Sequence, residues 1–303
     1  MHAHIIYREC ALLKANGTRV QTSLQTKATT VNASKVKTLP VDLLVNVRRI
    51  SWVEIKENST KISLIGKGTF AKCYLTQMGS MNVCIKVLSI DVKYKCLFYS
   101  EAKILSLVCH KNLPWMHAFS DDSNKVAIIM TFHCYQTGKS LNIYDALLKH
   151  SSDNRLLDSK AWRQILLGCT SALVYLQSKH ILHNDIKTDN VLIESTSSGV
   201  RAILIDFNKA CLSCDAKVYK LSSEEKRRYS KYHPQIAPEV RNGSQRQSFA
   251  SDIYSFGRIL YKVNDIALVV PCVNSLSLLC LSPVAVKRPS ASELEKSLSN
   301  LFV

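Results

Sequence analysis

Apolar and polar positions fall into two regimes along this chain. From Trp52 onward, Ile62-Ser63-Leu64-Ile65, Cys73-Tyr74-Leu75 and Val83-Cys84-Ile85-Lys86-Val87-Leu88 are short apolar runs parted by turn residues such as Gly79-Ser80. Runs of that length between turn formers predict three strands of an antiparallel meander. Residues 99–109 place Ala102, Leu105 and Val108 at helical spacing, and residues 126–132 read as a further buried strand. After Gly138 the period lengthens. Residues 161–176 set Ile165, Leu166, Cys169, Ala172, Leu173 and Leu176 on one face of a helix. Two short strands follow at 191–193 and 202–205, then helices at 253–263 and 290–301. The last has Ser290 and Glu293 at capping-box spacing.

A strand-rich part joined to a helix-rich part predicts an α+β fold of two lobes with a cleft between them, a common place for a ligand. The smaller lobe spans about 52–132 and the larger about 138–303, preceded by a basic extension over 1–48 with little core-forming pattern. One stretch invites a different reading. Residues 266–286 carry no charge and are long enough to span a bilayer. Pro271, Asn274, Ser275, Ser277, Ser282 and Pro283 interrupt it, so a buried helix and turn is expected, with no membrane span.

Charge and cysteine content narrow the classes. The formal net charge is +17, of which residues 1–50 supply +6 (eight Lys/Arg against two Asp/Glu) and the remainder is scattered. Scattered charge reads as solvated surface, so nucleic acid is not the expected partner. Eleven cysteines stand singly in apolar stretches, which suits reduced thiols in a cytoplasmic protein, the nucleus being the alternative. The single C-x-x-C, Cys211 to Cys214, has no second pair at zinc spacing. The first ten residues hold polar and charged groups unlike a secretory signal. Asn16-Gly17-Thr18 fits the glycosylation pattern but is idle in the cytosol.

The chemistry-bearing residues form an ordered series. Ile65-Gly66-Lys67-Gly68-Thr69-Phe70-Ala71-Lys72-Cys73 lies between two predicted strands. Glycines there let backbone N–H groups approach phosphate oxygens, although Gly-x-Gly alone is an ordinary hairpin turn. No Gly-Lys-Ser/Thr follows, and the segment leads into a strand, which excludes a P-loop and a dinucleotide fingerprint. Lys86 stands alone in an apolar strand, and Glu101 follows it by fifteen residues in the next helix. A buried ammonium needs such a partner. Asp185 and Asn190 are five apart in one loop, and Asp206 follows a strand pair. Oxygen ligands of that sort suit Mg²⁺, and Asp185 two before Lys187 suits orienting a hydroxyl while the lysine neutralises a transferring phosphoryl group.

With these residues assembled, the chain resembles the eukaryotic protein kinase domain from about Trp52 to its end. The glycine loop, Val83-Cys84-Ile85-Lys86, Glu101, His183-Asn184-Asp185-Ile186-Lys187-Thr188-Asp189-Asn190 and Asp206-Phe207-Asn208 occur in family order. Ala237-Pro238-Glu239, Ser251-Asp252-Ile253-Tyr254-Ser255-Phe256-Gly257 and Lys287-Arg288-Pro289 complete the set. The resemblance implies ATP and Mg²⁺ as cofactors and a protein as substrate. It implies that Lys86 holds the α/β-phosphates, Asn190 and Asp206 the metal, and that Asp185 is the base with Lys187 beside it. Adenine would lie between Cys73 and Cys84 above and Leu192 below, with Met130 as gatekeeper and residues 131–133 as hinge. Leu105, Met116, His183 and Phe207 would stack as an apolar spine, and Glu239 would pair with Arg288. Ile186 to Asn190 resembles serine/threonine kinases, with a flavour of the tyrosine-kinase-like branch elsewhere.

Five departures from the family pattern stand out. Asn184 stands where the family has an Arg that receives an activation-loop phosphate, so alanine at Ser222, Ser223 and Tyr229 is expected to leave activity nearly unchanged. Asn208 replaces a glycine and is the non-glycine residue best tolerated at a positive φ there. Ala71 replaces the third loop glycine, and Tyr232 stands about where a Thr usually meets Asp185 and Lys187. Residues 263–272 are too short for the helix that usually helps dock substrates, and Lys226-Arg227-Arg228 reads as solvated loop charge. Two functions therefore stand side by side: an active serine/threonine kinase, or a pseudokinase that binds nucleotide and signals through contacts.

Overall fold

The computed structural model describes residues 47–68, 70–88, 95–122, 125–136, 138–150, 156–267 and 271–301. Thr69, the Asn16-Gly17-Thr18 pattern and all but the last residues of the basic extension lie outside them.

Ser51 opens the first helix among the described residues, α1 (Trp52–Asn58), by accepting the Glu54 N–H at 3.0 Å. The strands β1 (Ser59–Lys67), β2 (Ala71–Met78) and β3 (Met81–Leu88) follow, then helix α2 (Lys95–Ser106), β4 (Met116–Asp122) and β5 (Lys125–Thr131). These strands form a five-stranded antiparallel sheet in the order β1-β2-β3-β5-β4. The helix expected over 99–109 begins four residues earlier, because Phe98 is buried along with Glu101, Ala102 and Leu105.

Neither α1 nor β4 was marked by the sequence pattern, and both belong to one packed layer. Ile50 and Ile55 are buried with Val83, Ile85, Ala118, Ala127 and Ile129 on one face of the sheet. Backbone bonds tie that segment to β4: Phe119 N–H donates to Arg48 O at 2.9 Å and Ile50 N–H to Phe119 O at 3.2 Å. β4 is covered on both faces, with Ala118 in this layer and Phe119 in the main core. Its buried run Ala118-Phe119-Ser120 therefore shows no alternation.

The larger lobe contains β6 (Leu141–Asn142), α3 (Ile143–Leu148) and the long α4 (Ser159–Ser178), capped by Asp158 accepting from Ala161 N–H at 2.7 Å. Then come β7 (Ile181–Leu182), β8 (Val191–Thr196), β9 (Gly199–Leu204) and β10 (Cys211–Leu212). β8 pairs with β6 and β9, and β10 pairs with β7. Helices α5 (Ser223–Tyr232), α6 (Pro238–Arg241), α7 (Phe249–Ala267), α8 (Pro271–Cys280) and α9 (Ala291–Leu301) complete it. Trp162, Ile165, Leu166, Ala172 and Leu176 of α4 are buried, as the helical spacing predicted. Ser290 and Glu293 form the predicted cap, with Ser290 N–H donating to Glu293 at 2.8 Å and Glu293 N–H to Ser290 Oγ at 3.2 Å. No helix among the described residues is long and apolar enough to cross a membrane.

Within residues 266–286, α8 is the expected helix, but it is buried on one face only. Val273, Ser277 and Cys280 are buried, but Leu278, Leu279 and Val286 are exposed. α7 and α8 are joined by three residues, and α8 packs directly on α7. Gly257 permits that contact, since a Cβ there would come within 2.6 Å of Cys280 Cβ. Arg288 is buried and donates to both carboxylate oxygens of Glu239, at 2.7 and 2.8 Å, closing the lobe beside the α6 segment.

Candidate active site

Each functional side chain is set by a short element. In the glycine loop Gly66 pairs with Cys73 and Lys67 with Lys72, and Gly68 N–H donates to Ala71 O at 2.8 Å. Neither glycine has a positive φ, and a Cβ at either would meet nothing nearer than 3.6 Å, so their smallness keeps the inner side open. Ile65 and Lys67 are exposed, Phe70 is half-buried and Ala71 is buried. β3 sets Cys73 opposite Lys86 and Leu75 opposite Cys84, which puts both cysteines on the same face of the β2-β3 ribbon as Lys86. Cys84 lies beside Met130 on β5, and Leu192 faces out of β8 half-buried. The hinge is tethered at its far end, where His133 Nδ1 meets Glu194 at 2.8 Å and Arg201 Nε donates to the same carboxylate at 2.8 Å.

Lys86 is the hub between the lobes. Its Nζ donates to Glu101 at 2.7 and 2.8 Å and to Asp206 Oδ1 at 3.0 Å. Burial opposes charge on this ammonium, but the Asp206 and Glu101 carboxylates outweigh it and raise its pKa above the ordinary lysine value. Burial likewise opposes charge on Asp206, and Lys86 overcomes it, holding the carboxyl below its usual range.

The catalytic-loop residues are fixed from beneath. Asp252 of α7 accepts the backbone N–H groups of His183 and Asn184 at 2.8 and 2.9 Å. Burial pushes its own pKa up to about 6 in spite of those donors. His183 is buried, which lowers its pKa to about 4, so the ring is neutral. Its Nε2 lies 3.1 Å from Ile205 O and its Nδ1 accepts from Asp185 N–H at 3.3 Å, which assigns the proton to Nε2. The His183 and Phe207 rings meet edge to face at 4.8 Å, with Leu105 buried in the same core and Met116 packed against it.

Asp185 is buried at the loop's centre. Asn190 Nδ2 donates to Asp185 O at 2.8 Å and to Oδ2 at 3.1 Å, and Lys187 Nζ lies 3.7 Å from Oδ2. Lys209 Nζ donates to the other oxygen, Oδ1, at 2.7 Å. Sequence reasoning missed Lys209. Its signal was a lysine directly after Asp206-Phe207-Asn208 and before buried Ala210, where a charge has a task or a cost.

The turn after Asp206 corrects the expectation for Asn208. The residue with a left-handed backbone is Asp206 (φ 69°), and Phe207–Lys209 form a 3₁₀ turn in which Asn208 needs no special conformation. Asn184 also sits at positive φ (63°), and its Nδ2 donates to Lys209 O at 3.1 Å and Cys211 Sγ at 3.4 Å. A neutral amide thus grips the start of the activation segment. Tyr232, expected beside Asp185 and Lys187, is an exposed residue ending α5, with the Lys231 ammonium 5.3 Å from its ring.

Lys226-Arg227-Arg228 lies on a helix and not in a loop. Ser222 caps that helix, accepting from Glu225 N–H at 3.3 Å while its own N–H donates to Glu225 at 2.8 Å. Tyr229 is buried, with its ring 5.3 Å from His233, so alanine there removes packing and says nothing of phosphorylation. Ser222 and Ser223 are exposed. Alanine at these two is expected to leave phosphoryl transfer nearly unchanged, because the Asn184 amide needs no loop phosphate. A large loss in a transfer assay, with the fold intact by circular dichroism, contradicts that.

These groups suit a metal–nucleotide complex. The donor nitrogen of Asn190 is committed to Asp185, which leaves its amide oxygen, together with Asp206, as the hard oxygen pair that Mg²⁺ favours alongside phosphates.

A family model described as the protein kinase domain matches residues 59–278. The chain is 28% identical over 202 residues to the serine/threonine-protein kinase SIK2 of Gallus gallus, covering 65% of this chain and 23% of that protein. It is 28% identical over 237 residues to the "Probable serine/threonine-protein kinase roco9" of Dictyostelium discoideum, covering 76% and 6%. With the L-type lectin-domain containing receptor kinase VIII.2 of Arabidopsis thaliana it shares 27% identity over 175 residues, covering 53% and 23%. The chain therefore spans less than a quarter of the length of these relatives. It belongs to the protein kinase domain family, whose phosphoryl donor is ATP and whose usual metal is Mg²⁺.

Proposed function

We propose that the chain is a serine/threonine protein kinase that moves the γ-phosphoryl group of ATP to a protein hydroxyl. The observation that carries this reading is the pair of linked networks across the cleft: Glu101–Lys86–Asp206 on one side and Asn190–Asp185–Lys187 on the other. In this reading Met130, Cys73, Cys84 and Leu192 enclose the adenine, and Ile65 to Ala71 cover the phosphates. Lys86 neutralises the α/β-phosphates, and Asn190 and Asp206 hold Mg²⁺, which supplies charge neutralisation at the phosphates. Asp185 accepts the hydroxyl proton at Oδ1 while Lys187 faces the transferring group.

The pseudokinase reading has one observation in its favour: Lys209 covers Asp185 Oδ1. Transfer from ATP labelled on the γ-phosphorus to a generic basic protein separates the two. Asp185→Asn is expected to lower the rate by roughly a hundredfold or more, the usual contribution of a general base. Equal labelling by both proteins rejects catalysis through Asp185, and no labelling by the wild type favours the scaffold.

A further inference from the structure

The sheet face above the cleft carries a row of sulfur atoms that the mechanism above uses only as apolar surface. Register places Cys84 directly opposite Met130, and Met130 directly opposite Met116. Side chains opposite one another on antiparallel strands share a face and have Cβ atoms about 5 Å apart. Cys73 joins the row from β2: it lies opposite Lys86, two residues from Cys84, and the Cys73 and Cys84 thiols are hydrogen-bonded to each other. Met116 and Met130 pack against the main core together with Ala71 and Leu88, so the row lies on the core side of the sheet and not under the Ile50–Ile55 layer. Cys73, Cys84 and Met130 are each half-buried, which leaves them open to a ligand.

Two thiols joined through one proton, with a thioether beside them, make a donor set for a soft ion that takes the proton's place. A thiol ligates after losing its proton. The hydrogen bond from Cys84 and the Lys86 ammonium hold the Cys73 thiol below its ordinary pKa against the pull of burial. That ammonium does not exclude a cation, because Glu101 and Asp206 meet its charge at 2.7 and 3.0 Å. Thiolate and thioether sulfur together select Cu(I). Zn²⁺ takes four ligands, and among the described residues no group of three or more His, Cys, Asp and Glu side chains is placed to hold a metal ion. Mg²⁺ takes oxygen.

We infer that Cys73, Cys84 and Met130 form a Cu(I) site in the roof of the nucleotide cleft. The two cysteines supply thiolate sulfur and Met130 the thioether, with Met116 behind it. An ion held there fills the place proposed for adenine, so copper and nucleotide exclude each other. The ion site stands on the sheet register; the exclusion rests on the nucleotide-binding reading above.

The test titrates the chain with the Cu(I)–bicinchoninate complex under argon and follows loss of the chelator's colour, with a protein-free blank for copper held by ATP. The wild type is expected to take Cu(I) from the chelator. Mg²⁺–ATP at ten times its own Kd is expected to weaken that binding roughly tenfold, as mutual exclusion requires. Cys73→Ser and Cys84→Ser each lower the copper affinity by about tenfold or more, the least that supporting residues around a metal contribute. Cys214→Ser, which breaks the C-x-x-C of Cys211 and Cys214, keeps the nucleotide-sensitive copper. No uptake from the chelator, full affinity in both cysteine variants of the row, or loss confined to Cys214→Ser overturns the inference. A wild type that binds copper and nucleotide without competition places the ion elsewhere and overturns it as well. A wild type that takes copper but binds no nucleotide removes the adenine reading alone, and the cysteine variants then decide the site. Where a variant does not fold, the nucleotide competition in the wild type decides.

Discussion

Lys86→Met is expected to abolish measurable phosphoryl transfer and to destabilise the protein by about 3–5 kcal/mol, the usual result of removing one member of a buried ion pair. The geometry explains why both effects come from one atom. The Lys86 ammonium neutralises Glu101 and Asp206 together, at 2.7 and 3.0 Å, and joins helix α2 to the turn after β9. Methionine fills the space and leaves two carboxylates facing each other across it. Burial already pushes the Glu101 pKa up, so without its cation this group takes a proton. A carboxyl whose folded pKa exceeds its unfolded value contributes stability below the unfolded pKa and loses it as pH rises through the folded one. The variant's deficit is therefore largest at neutral pH and shrinks as the medium is acidified. Thermal melts of both proteins across that range check the sign, and a deficit independent of pH contradicts the assignment.

Arg288→Met is the second large effect, again about 3–5 kcal/mol, and it acts on stability far from the cleft. The guanidinium is fully enclosed: it donates to both oxygens of Glu239, to Ser282 O and to Ala250 O at 2.9 Å, and lies 4.9 Å from the Tyr254 ring. Removing it strands a buried carboxylate and two carbonyls. The melting temperature is expected to fall by on the order of 10 °C. Replacing Glu239 by methionine in the same protein is expected to recover part of the loss, since no charge is then left unpaired. No recovery in the double variant contradicts the pairing as the source. By contrast the exposed pair Arg48–Glu54, at 3.1 Å, is worth about 1 kcal/mol or less.

Much of the fold was legible because period and spacing report burial directly. The face of α4 from Ile165 to Leu176 could be read from its apolar repeat, and Ser290 with Glu293 announced α9. The Lys86–Glu101 pair was legible from a lone lysine in an apolar strand and an acid one helix on. Other features were hidden for physical reasons. β4 lacks alternation because both its faces are covered, one by Ala118's layer and one by Phe119's core. The α5 helix was missed although Ser222 and Glu225 stand at capping-box spacing, since its charged run Lys226-Arg227-Arg228 carries no apolar repeat. At the turn after β9 the residue type misled: Asn208 suits a positive φ, but the backbone places that conformation on Asp206. Lys209 could not be paired from sequence, because its partner Asp185 lies 24 residues away on another loop.

The layer formed by Ile50 and Ile55 bears on how the domain can be cut from its chain. The family match begins at residue 59, after both of these side chains. A fragment started there would bare Val83, Ile85, Ala118, Ala127 and Ile129, five apolar side chains side by side on one sheet face. It would also strip β4, the sheet's edge, of the backbone bonds that Arg48 and Ile50 make to Phe119. An uncovered apolar face beside an open strand edge is a template for self-association. The short strap before β1 thus covers a face and an edge that a second copy could otherwise meet.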